Sequence, residues 1–519
     1  MSKRLIDTLC QASFYPHPVD EVRLIETHIS WLFLTGPYAY KVKKPVDFGF
    51  LDFSSLARRK HFCLEELRLN RRTAADLYLG VLPITEDPRG RLRLGCRGRV
   101  LDYALRMRQF DPEALLQRLL HQGQVDEADI LELAATLADF HQRIERADPA
   151  TPFGSPAAVL QPVAENFAAL RRQLPAGEQQ TRLQTLEQQT LAVQASLHPW
   201  FERRRRDGFV RECHGDLHLG NIARVAGRLV LFDAIEFSED LRWIDVINDL
   251  AFLLMDLRAQ GRDDFANRLL NRYLELTGDY HGLGGLRFYQ SYRAMVRAKV
   301  AALRMGQQEG EQRRQSLQAV YDYLALAEQC LQTAQPLIVL THGLSGSGKS
   351  WLAARLAPYL EAIHIRSDVE RKRLHRLPPE ADSQRAGVSI YDPASSEKTY
   401  QRLAELSRQI IDYGYSVIVD ATFLQRAQRQ GFHTLARSLG VGLVILHCQA
   451  DYPVLERRIR QRQQARQDAS EADLAVLRGQ RQRQQVLAAA ETAYTVSVDT
   501  SESLDLAALA GRLRRQARQ

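Results

Sequence analysis

A stretch in the second half of the chain has the residue types and spacing of a phosphate-binding turn. It reads GLSGSGKS and fits G-x-x-x-x-G-K-[ST], with an apolar run of strand length before it and helical spacing after it. Glycines let backbone N–H groups converge on phosphates, and the helix that follows presents its partly positive N-terminus. The predicted nucleotide-binding residues are Gly343, Leu344, Ser345, Gly346, Ser347, Gly348, Lys349 and Ser350.

Two residues of this turn have more specific expected roles. Lys349 should reach the β/γ-phosphates, which also makes it a catalytic candidate, and Ser350 should bind Mg²⁺. The predicted cofactors are therefore ATP and Mg²⁺.

A second chemical centre is the loop HGDLHLGN and the strand that follows it. Asp216 precedes Asn221 by a short loop, and the apolar run LVLF ends at Asp233. An aspartate beside a substrate hydroxyl can accept its proton, whereas an asparagine and a second aspartate can hold Mg²⁺ on phosphates. The spacing D-x-x-x-x-N is that of the kinase catalytic loop. The sequence therefore indicates Asp216 as a base and Asn221 and Asp233 as metal ligands.

Further upstream, a strand lysine and a helix glutamate could form the ion pair that positions nucleotide phosphates in kinase folds. Lys41 lies in YAYKV, the second of two predicted strands around the turn Thr35-Gly36-Pro37. A predicted helix from about Ser55 carries adjacent glutamates, of which Glu66 is the chosen partner. Taken alone, both residue types are also common on solvated faces.

Residues 20 to 330 resemble the aminoglycoside phosphotransferase family, whose signature H-G-D-x-x-x-x-N is present as HGDLHLGN. The resemblance implies a kinase-like fold in which Asp216 is the catalytic base, Asn221 and Asp233 bind metal, and Lys41 and Glu66 contact the nucleotide. The sequence departs from the kinase pattern in having no G-x-G-x-x-G before Lys41. A kinase-like domain that binds without transferring phosphate is the alternative.

Downstream of the phosphate turn, carboxylates stand where predicted strands end. Asp368 closes AIHIRSD, with Arg371 three residues later, and Asp420 closes SVIVD. A carboxylate at the C-terminal end of a strand in an open α/β sheet faces the ligand crevice. Asp368 is the candidate base, Arg371 the candidate substrate ligand, and Asp420 a candidate for Mg²⁺ or substrate. A helix cap at Asp368 is the competing interpretation.

The Arg-rich stretch ERRIRQRQQAR, from Glu456 to Arg466, has three interpretations. In a phosphoryl-transfer enzyme it could be a closing lid, with Arg457 and Arg462 reaching the phosphate. It could instead be a solvated face, or a basic helix that binds nucleic acid, although no interleaved aromatic residues support base stacking.

Residues 336 to about 500 resemble the small P-loop kinases with an AAA-type ATP-binding domain. This group includes gluconate kinase, zeta-toxin-like sugar-nucleotide kinases and polynucleotide 5′-hydroxyl kinases. The matching features are GLSGSGKS, D-x-x-R, VDATF and the Arg-rich stretch. The resemblance implies an ATP-dependent kinase and leaves its acceptor open.

The two resemblances predict two domains. Residues 1–334 would form an α+β kinase-like, two-lobed domain, and residues 335–519 an α/β P-loop NTPase domain with a mainly parallel sheet. Two long predicted helices between Leu286 and Thr333 would close the first domain, and the short polar segment QTAQP marks the boundary.

Composition limits the choice of partners and compartment. The excess of 70 Lys+Arg over 62 Asp+Glu gives a net charge of +8, which suits phosphorylated ligands and is too small to indicate nucleic acid. Six widely spaced cysteines without a C-x-x-C pair predict reduced thiols and a cytoplasmic location. No segment approaches about 18 apolar residues, so no membrane span is predicted.

Three hypotheses follow. The leading one is a bifunctional ATP-dependent phosphotransferase whose two units act on small hydroxyl-bearing molecules; neither the acceptors nor the oligomeric state is specified. The second makes the N-terminal half a regulatory binding module for one P-loop ATPase or kinase. The third is a polynucleotide 5′-hydroxyl kinase, whose binding should weaken steeply with salt.

Overall fold

A computed structural model describes residues 3–49, 51–174, 177–383, 390, 392–465 and 469–518. Its helices are α1 (Lys3–Leu9), α2 (Leu56–Ala74), α3 (Leu116–His121), α4 (Glu127–Arg143), α5 (Pro156–Gln173), α6 (Glu178–Ser196), α7 (His198–Arg206), α8 (Glu239–Arg242), α9 (Val246–Ala259), α10 (Asp263–Thr277), α11 (Leu283–Met305), α12 (Gly310–Leu331), α13 (Lys349–Leu360), α14 (Ser367–Leu374), α15 (Pro393–Asp412), α16 (Arg426–Leu439), α17 (Tyr452–Ala465), α18 (Leu474–Arg483), α19 (Ala489–Thr492) and α20 (Leu506–Gln516). Its strands are β1 (Arg23–Glu26), β2 (Ser30–Leu34), β3 (Tyr38–Lys43), β4 (Tyr78–Glu86), β5 (Leu92–Leu94), β6 (Arg99–Arg108), β7 (Val210–Glu212), β8 (Ile222–Val225), β9 (Arg228–Leu231), β10 (Trp243–Asp245), β11 (Leu337–His342), β12 (Ala362–Arg366), β13 (Ser416–Asp420), β14 (Gly442–Gln449) and β15 (Thr495–Asp499).

The chain forms two compact units. One comprises residues 1–256 and 288–327, and the other comprises residues 257–287 and 328–519. Helix α10 thus belongs to the second unit. The domain boundary between residues 334 and 335 stays a prediction. No helix of the described residues has the length and apolar character needed to cross a bilayer.

The first lobe of the N-terminal unit is an antiparallel sheet with the order β1-β2-β3-β6-β4-β5. The predicted hairpin of β2 and β3 is confirmed. Tyr40 and Val42 pack into an apolar cluster with Phe33 on one face. Because side chains alternate along a strand, Lys41 and Lys43 both project to the other face. Helix α2 contributes the predicted partner of Lys41 on that face. The N-cap Ser55 begins the helix where the sequence predicts.

The second lobe of the N-terminal unit is mainly helical and carries two small strand pairs. Strand β7 pairs with β10, and β8 pairs with β9. The β8–β9 hairpin begins immediately after Asn221 and ends shortly before Asp233. The hairpin therefore brings the two predicted metal ligands to the same end. An α+β kinase-like unit is what the sequence predicts.

The C-terminal unit is an α/β domain around five parallel strands in the order β12-β13-β11-β14-β15. Every residue of the central strand β11 is buried, as expected for a parallel sheet covered by helices on both faces. The predicted α/β fold is confirmed. One local detail differs: β12 ends at Arg366, and Asp368 lies in the first turn of α14. A carboxylate suits that position because a helix N-terminus is partly positive.

Helix α17 contains most of the Arg-rich stretch Glu456 to Arg466, for which a lid is one of the three interpretations. Leu455 and Ile459 of α17 pack against Leu477 of α18, and Leu344 of the phosphate turn joins this cluster. The last residue of the predicted lid, Arg466, lies outside the described residues.

Candidate active sites

Lys41 lies between two carboxylates in the N-terminal unit. Its Nζ is 2.7 Å from Oε1 of Glu66, on α2, and 2.7 Å from Oδ1 of Asp233. Burial alone would lower the pKa of Lys41, but the charges of Asp233, Glu66 and Glu236 raise it well above its ordinary value. The predicted Lys41–Glu66 ion pair is therefore present, and Glu65 instead pairs with Arg68.

Asp216 and Asn221, the candidates from the HGD loop, are in direct contact. Asn221 Nδ2 donates to Oδ2 of Asp216 at 3.1 Å and to its carbonyl oxygen at 2.9 Å. Desolvation would raise the pKa of Asp216, but the hydrogen bond from His218 and the charges of His218, His214 and Arg293 lower it to about 2. Asp216 is therefore ionised at neutral pH and can accept a hydroxyl proton.

Asp233 has an unusual backbone conformation. Its φ is +62°, a region that non-glycine residues rarely adopt and that often marks functional sites. Its N–H donates to the hydroxyl oxygen of Tyr78 at 3.1 Å. The N–H of Phe232 donates to the carbonyl oxygen of Asn221 at 3.0 Å. The second bond brings the backbone of Asn221 beside the residue that precedes Asp233, and both side chains offer oxygen ligands of the kind that Mg²⁺ prefers.

The backbone of the loop that carries Asp216 is held by hydrogen bonds to Asp249. The Asp249 carboxylate accepts hydrogen bonds from the backbone N–H of His214 at 3.0 Å and of Gly215 at 2.9 Å. Buried His141 stands 3.2 Å from the same carboxylate. Gly215 has φ of +85°, and a Cβ there would lie 2.8 Å from the carbonyl oxygen of Leu241. Only glycine fits this loop without displacement.

Two residues at this site were not anticipated from the sequence. Lys43 Nζ is 2.6 Å from Oε2 of Glu66 and also contacts Glu236. Burial opposes ionisation of Glu66, yet Lys41 and Lys43 together lower its pKa to about 2. The sequence contained a signal for Lys43, because residues two apart on a strand, such as Lys41 and Lys43, share a face.

The phosphate turn of the C-terminal unit joins β11 to α13. It borders a cavity of about 460 Å³, within the usual range for ligand pockets. Gly348 has φ of +80°, and a Cβ there would lie 2.9 Å from Oγ1 of Thr500. Gly343 is buried, with its N–H donating to the carbonyl oxygen of Thr422. The residues of the turn that line the cavity are Ser345, Gly346, Gly348, Lys349 and Ser350.

Donors of the turn contact oxygen atoms of the protein itself. Lys349 Nζ donates to the carbonyl oxygen of Leu344 at 2.7 Å, and the N–H of Ser345 donates to Oε1 of Gln480, on α18, at 2.9 Å. Desolvation lowers the pKa of Lys349, although Asp420 acts in the opposite direction. The Oγ of Ser347 is buried without a hydrogen-bond partner among the described residues. Neutral oxygens of the protein thus occupy donors that would hold phosphate oxygens. This set of donors fits a triphosphate.

Ser350 and Asp420, the candidate Mg²⁺ ligands of this unit, both line the cavity, and the Ser350 hydroxyl contributes to lowering the pKa of Asp420. Nε2 of His364 is 3.3 Å from the Asp420 carboxylate. Desolvation would raise the pKa of Asp420, but His364 and the charge of Arg366 lower it to about 2. Hydroxyl and carboxylate oxygens suit Mg²⁺, so the pair fits a metal held on nucleotide phosphates.

Asp368 and Arg371 lie one turn apart on α14, and both line the same cavity. Arg371 is buried, and its NH1 donates to the carbonyl oxygen of Ile390 and to Oγ of Ser396, each at 3.1 Å. The N-cap of α14 is Arg366, not Asp368. Asp368 therefore lies in the first helical turn, and the competing prediction of a capping role is not what the structure shows.

The two arginines predicted on the lid face different directions. Arg462 lines the cavity and donates to the carbonyl oxygen of Ala472, whereas Arg457 is exposed and is not among the lining residues. Arg458 lines the cavity instead and donates to the carbonyl oxygen of Gly346 at 3.3 Å. Residues four apart share a helix face, while residues five apart do not. Helical spacing could have selected Arg458 from the sequence.

Family comparisons assign both units. Residues 88–286 match the model of the phosphotransferase enzyme family, and residues 338–487 match that of an AAA domain. The first match contains the HGD loop and Asp233 and begins after Lys41 and Glu66. The second contains the phosphate turn, Asp368, Asp420 and the lid arginines.

Individual proteins extend the comparison. An uncharacterized protein of Mycobacterium tuberculosis (strain ATCC 25618 / H37Rv) is 31% identical over 488 residues, which are 92% of this chain and 93% of that protein. The choline/ethanolamine kinase family protein of Mesorhizobium loti has a TM-score of 0.39 and 10% identity, covering 63% of this chain and 97% of that one. A gluconokinase of Sinorhizobium meliloti has a TM-score of 0.26 and 19% identity, covering 36% and 95%. The chain belongs to the family of the mycobacterial protein and consists of a kinase-like phosphotransferase domain followed by a P-loop kinase domain.

Proposed function

We propose that the protein is a bifunctional ATP-dependent kinase that phosphorylates hydroxyl groups of small molecules at two separate sites. The observation that carries the proposal is the same in both units: each contains a candidate aspartate base, a lysine for phosphate and two oxygen-bearing side chains suited to Mg²⁺. The six cysteines, none in a disulfide, suit the cytoplasm as its compartment.

In the N-terminal unit, Asp216 is the base. The acceptor oxygen forms a bond to the γ-phosphorus of ATP, the bond from that phosphorus to the β,γ-bridging oxygen breaks, and ADP leaves with the electron pair. The hydroxyl proton passes to the Asp216 carboxylate. Lys41 orients the phosphates, and Mg²⁺ held by Asn221 and Asp233 would neutralise their charge. A carboxylate with a pKa of about 2 suits hydrogen bonding to the hydroxyl before transfer.

In the C-terminal unit, Asp368 is the base that accepts the hydroxyl proton, and the same bonds form and break. Lys349 and the N–H groups of the turn hold the β- and γ-phosphates, and Ser350 and Asp420 would hold Mg²⁺. Arg371, one helical turn from Asp368, binds the acceptor. Arg458 and Arg462 approach from the lid and stabilise charge on the transferring phosphoryl group.

A second candidate function makes the N-terminal unit a non-catalytic binding module that regulates one P-loop kinase. The direct Lys41–Asp233 ion pair favours it, because a bound nucleotide must compete with that contact. The absence of a glycine-rich loop before Lys41 favours it as well.

The two functions differ in a labelling experiment with γ-labelled ATP and a small-molecule cell extract. Lys349→Ala should remove one set of labelled products and Asp216→Asn another, with the double variant inactive. Lys398→Ala and Asp207→Asn, which change exposed residues, serve as matched controls. Loss of every product in Lys349→Ala, with no change in Asp216→Asn, would leave only the regulator. Labelled 5′-hydroxyl oligonucleotides would indicate a polynucleotide kinase.

A further inference from the structure

Glu66 is held by two lysines rather than one. Its Oε1 contacts Lys41 at 2.7 Å and its Oε2 contacts Lys43 at 2.6 Å. Glu66 is fully buried, and the Lys43 side chain is 1% exposed. Both oxygens of the carboxylate are therefore occupied, and rotation of Glu66 away from Lys41 would also break the contact with Lys43.

Lys43 also reaches the loop that carries the candidate metal ligand. Its Nζ contacts Glu236, which follows Asp233 by three residues and is likewise buried. The ammonium stands 4.7 Å from the centroid of the Phe53 ring, whose face attracts a cation. One buried lysine thus joins strand β3, helix α2 and the metal-ligand loop.

We propose that Lys43 is a positioning residue that fixes both Glu66 and the Asp233 loop, so that the nucleotide site of the N-terminal unit is assembled before ligand binds. The inference rests on the proposed nucleotide binding of this unit. Lys43 touches neither nucleotide nor metal in this scheme. It acts through Glu66 on the orientation of Lys41, and through Glu236 on the position of Asp233.

The two actions have separate signatures. Loss of the Glu66 contact disturbs Lys41, which faces phosphate oxygens with or without a metal. Loss of the Glu236 contact disturbs Asp233, the candidate metal ligand, which is also 2.7 Å from Lys41. Its specific signature is therefore a loss of the gain in affinity that Mg²⁺ provides. Partners that orient a metal ligand typically change metal affinity or activity by 10- to 100-fold when they are removed. A residue that served stability alone would produce neither signature.

The experiment uses the full-length chain carrying Lys349→Ala, so that calorimetry reports the N-terminal site. The parent, Lys43→Met and Glu236→Gln are titrated with ADP in the presence of a chelator and then with Mg²⁺. Lys44→Met is the matched control, because Lys44 is the next lysine and pairs with Glu26 instead. Hydrogen exchange of the α2 amides in the ligand-free proteins is the second readout.

We expect Lys43→Met to weaken metal-free ADP binding on the order of tenfold and to speed exchange in α2. Glu236→Gln should lose most of the gain from Mg²⁺, and Lys44→Met should match the parent. Parental metal-free affinity in Lys43→Met would overturn the inference, whether or not α2 exchanges faster.

If Lys43→Met does not fold, the Mg²⁺ titration of Glu236→Gln is the deciding measurement, because that substitution preserves the side-chain volume. An unchanged Mg²⁺ gain in that variant overturns the role of Lys43. Failure of the Lys349→Ala parent to bind ADP would instead overturn the proposed function of this unit, and the positioning role with it.

Discussion

The lysines at the two candidate sites have opposite surroundings. Lys41 is paired with two carboxylates, which raise its pKa, whereas Lys349 contacts a backbone carbonyl oxygen and desolvation lowers its pKa. The same chemical task, holding phosphate, is thus prepared in two ways. The kinase-like site pairs its lysine with carboxylates, and the P-loop site does not.

The surroundings of each lysine extend this difference. Arg458, Arg462 and Arg483 line the P-loop cavity and donate to carbonyl or hydroxyl oxygens; within the described part of the chain none forms an ion pair with a carboxylate. In the kinase-like site, Lys43 is also paired with carboxylates. The P-loop site should therefore attract anions directly, while the kinase-like site must exchange one ionic contact for another.

The largest expected effect comes from removing each lysine. Lys41→Met leaves buried Glu66 short of a partner and should destabilise the N-terminal unit by about 3–5 kcal/mol, as for other broken buried ion pairs. Lys349→Met removes a desolvated charge without a carboxylate partner and should leave its unit as stable or more stable. Hydrogen exchange in α2 and α13 measures the two effects separately, with exposed Lys60→Met as a control. Equal destabilisation by both variants would contradict the comparison.

Metal-free tripolyphosphate should distinguish the sites by affinity. We expect it to bind the P-loop unit at least about tenfold more tightly than the kinase-like unit, equivalent to about 1.4 kcal/mol. The reason is that Lys349 and three arginines lining the P-loop cavity, Arg458, Arg462 and Arg483, contact carbonyl or hydroxyl oxygens, whereas Lys41 is paired with carboxylates. Calorimetry on the wild type and on Lys349→Ala measures both events, and added salt should weaken the tighter one. Retention of tight binding in Lys349→Ala would assign it to the other site.

Gln480 provides a smaller effect. Its side-chain oxygen accepts the Ser345 N–H, so a nucleotide must displace it, and Gln480→Ala should tighten ATP binding by a few-fold. The expected size follows from a net hydrogen-bond contribution of about 0.5–1.5 kcal/mol. Gln482→Ala, an exposed residue on the same helix, is the control for titration by calorimetry. Weaker binding in Gln480→Ala would mean that this side chain contacts the nucleotide instead.

Acid should produce the smallest difference between the two sites, because we expect it to affect both alike. The pKa values of Asp216 and Asp420 are both about 2, below the value near 3.9 of an unfolded aspartate. Each contribution to stability is therefore complete above about pH 5 and is lost as the pH falls toward 2. The melting-temperature difference between wild type and Asp216→Asn, or Asp420→Asn, should be constant from pH 5 to 7 and shrink below pH 4. A change between pH 5 and 7 would refute this assignment.

The sequence determined both folds and most of the residues that could do chemistry. Local patterns carry this information: the phosphate turn needs its glycines and lysine in a fixed order, and the HGD loop needs Asp216 and Asn221 five residues apart. The Lys41–Glu66 pair followed from strand and helix assignments, because kinase-like units place those elements side by side.

Only the tertiary structure decided how the charges are paired. The Lys41–Asp233 contact joins residues 192 positions apart, and Lys43 meets Glu236 across 193 positions. Gln480 reaches the phosphate turn across 135 positions. Coulomb and hydrogen-bond energies depend on distance and burial, which periodicity does not specify. The sequence thus names the groups that can bind phosphate, and the fold decides which of them are already neutralised.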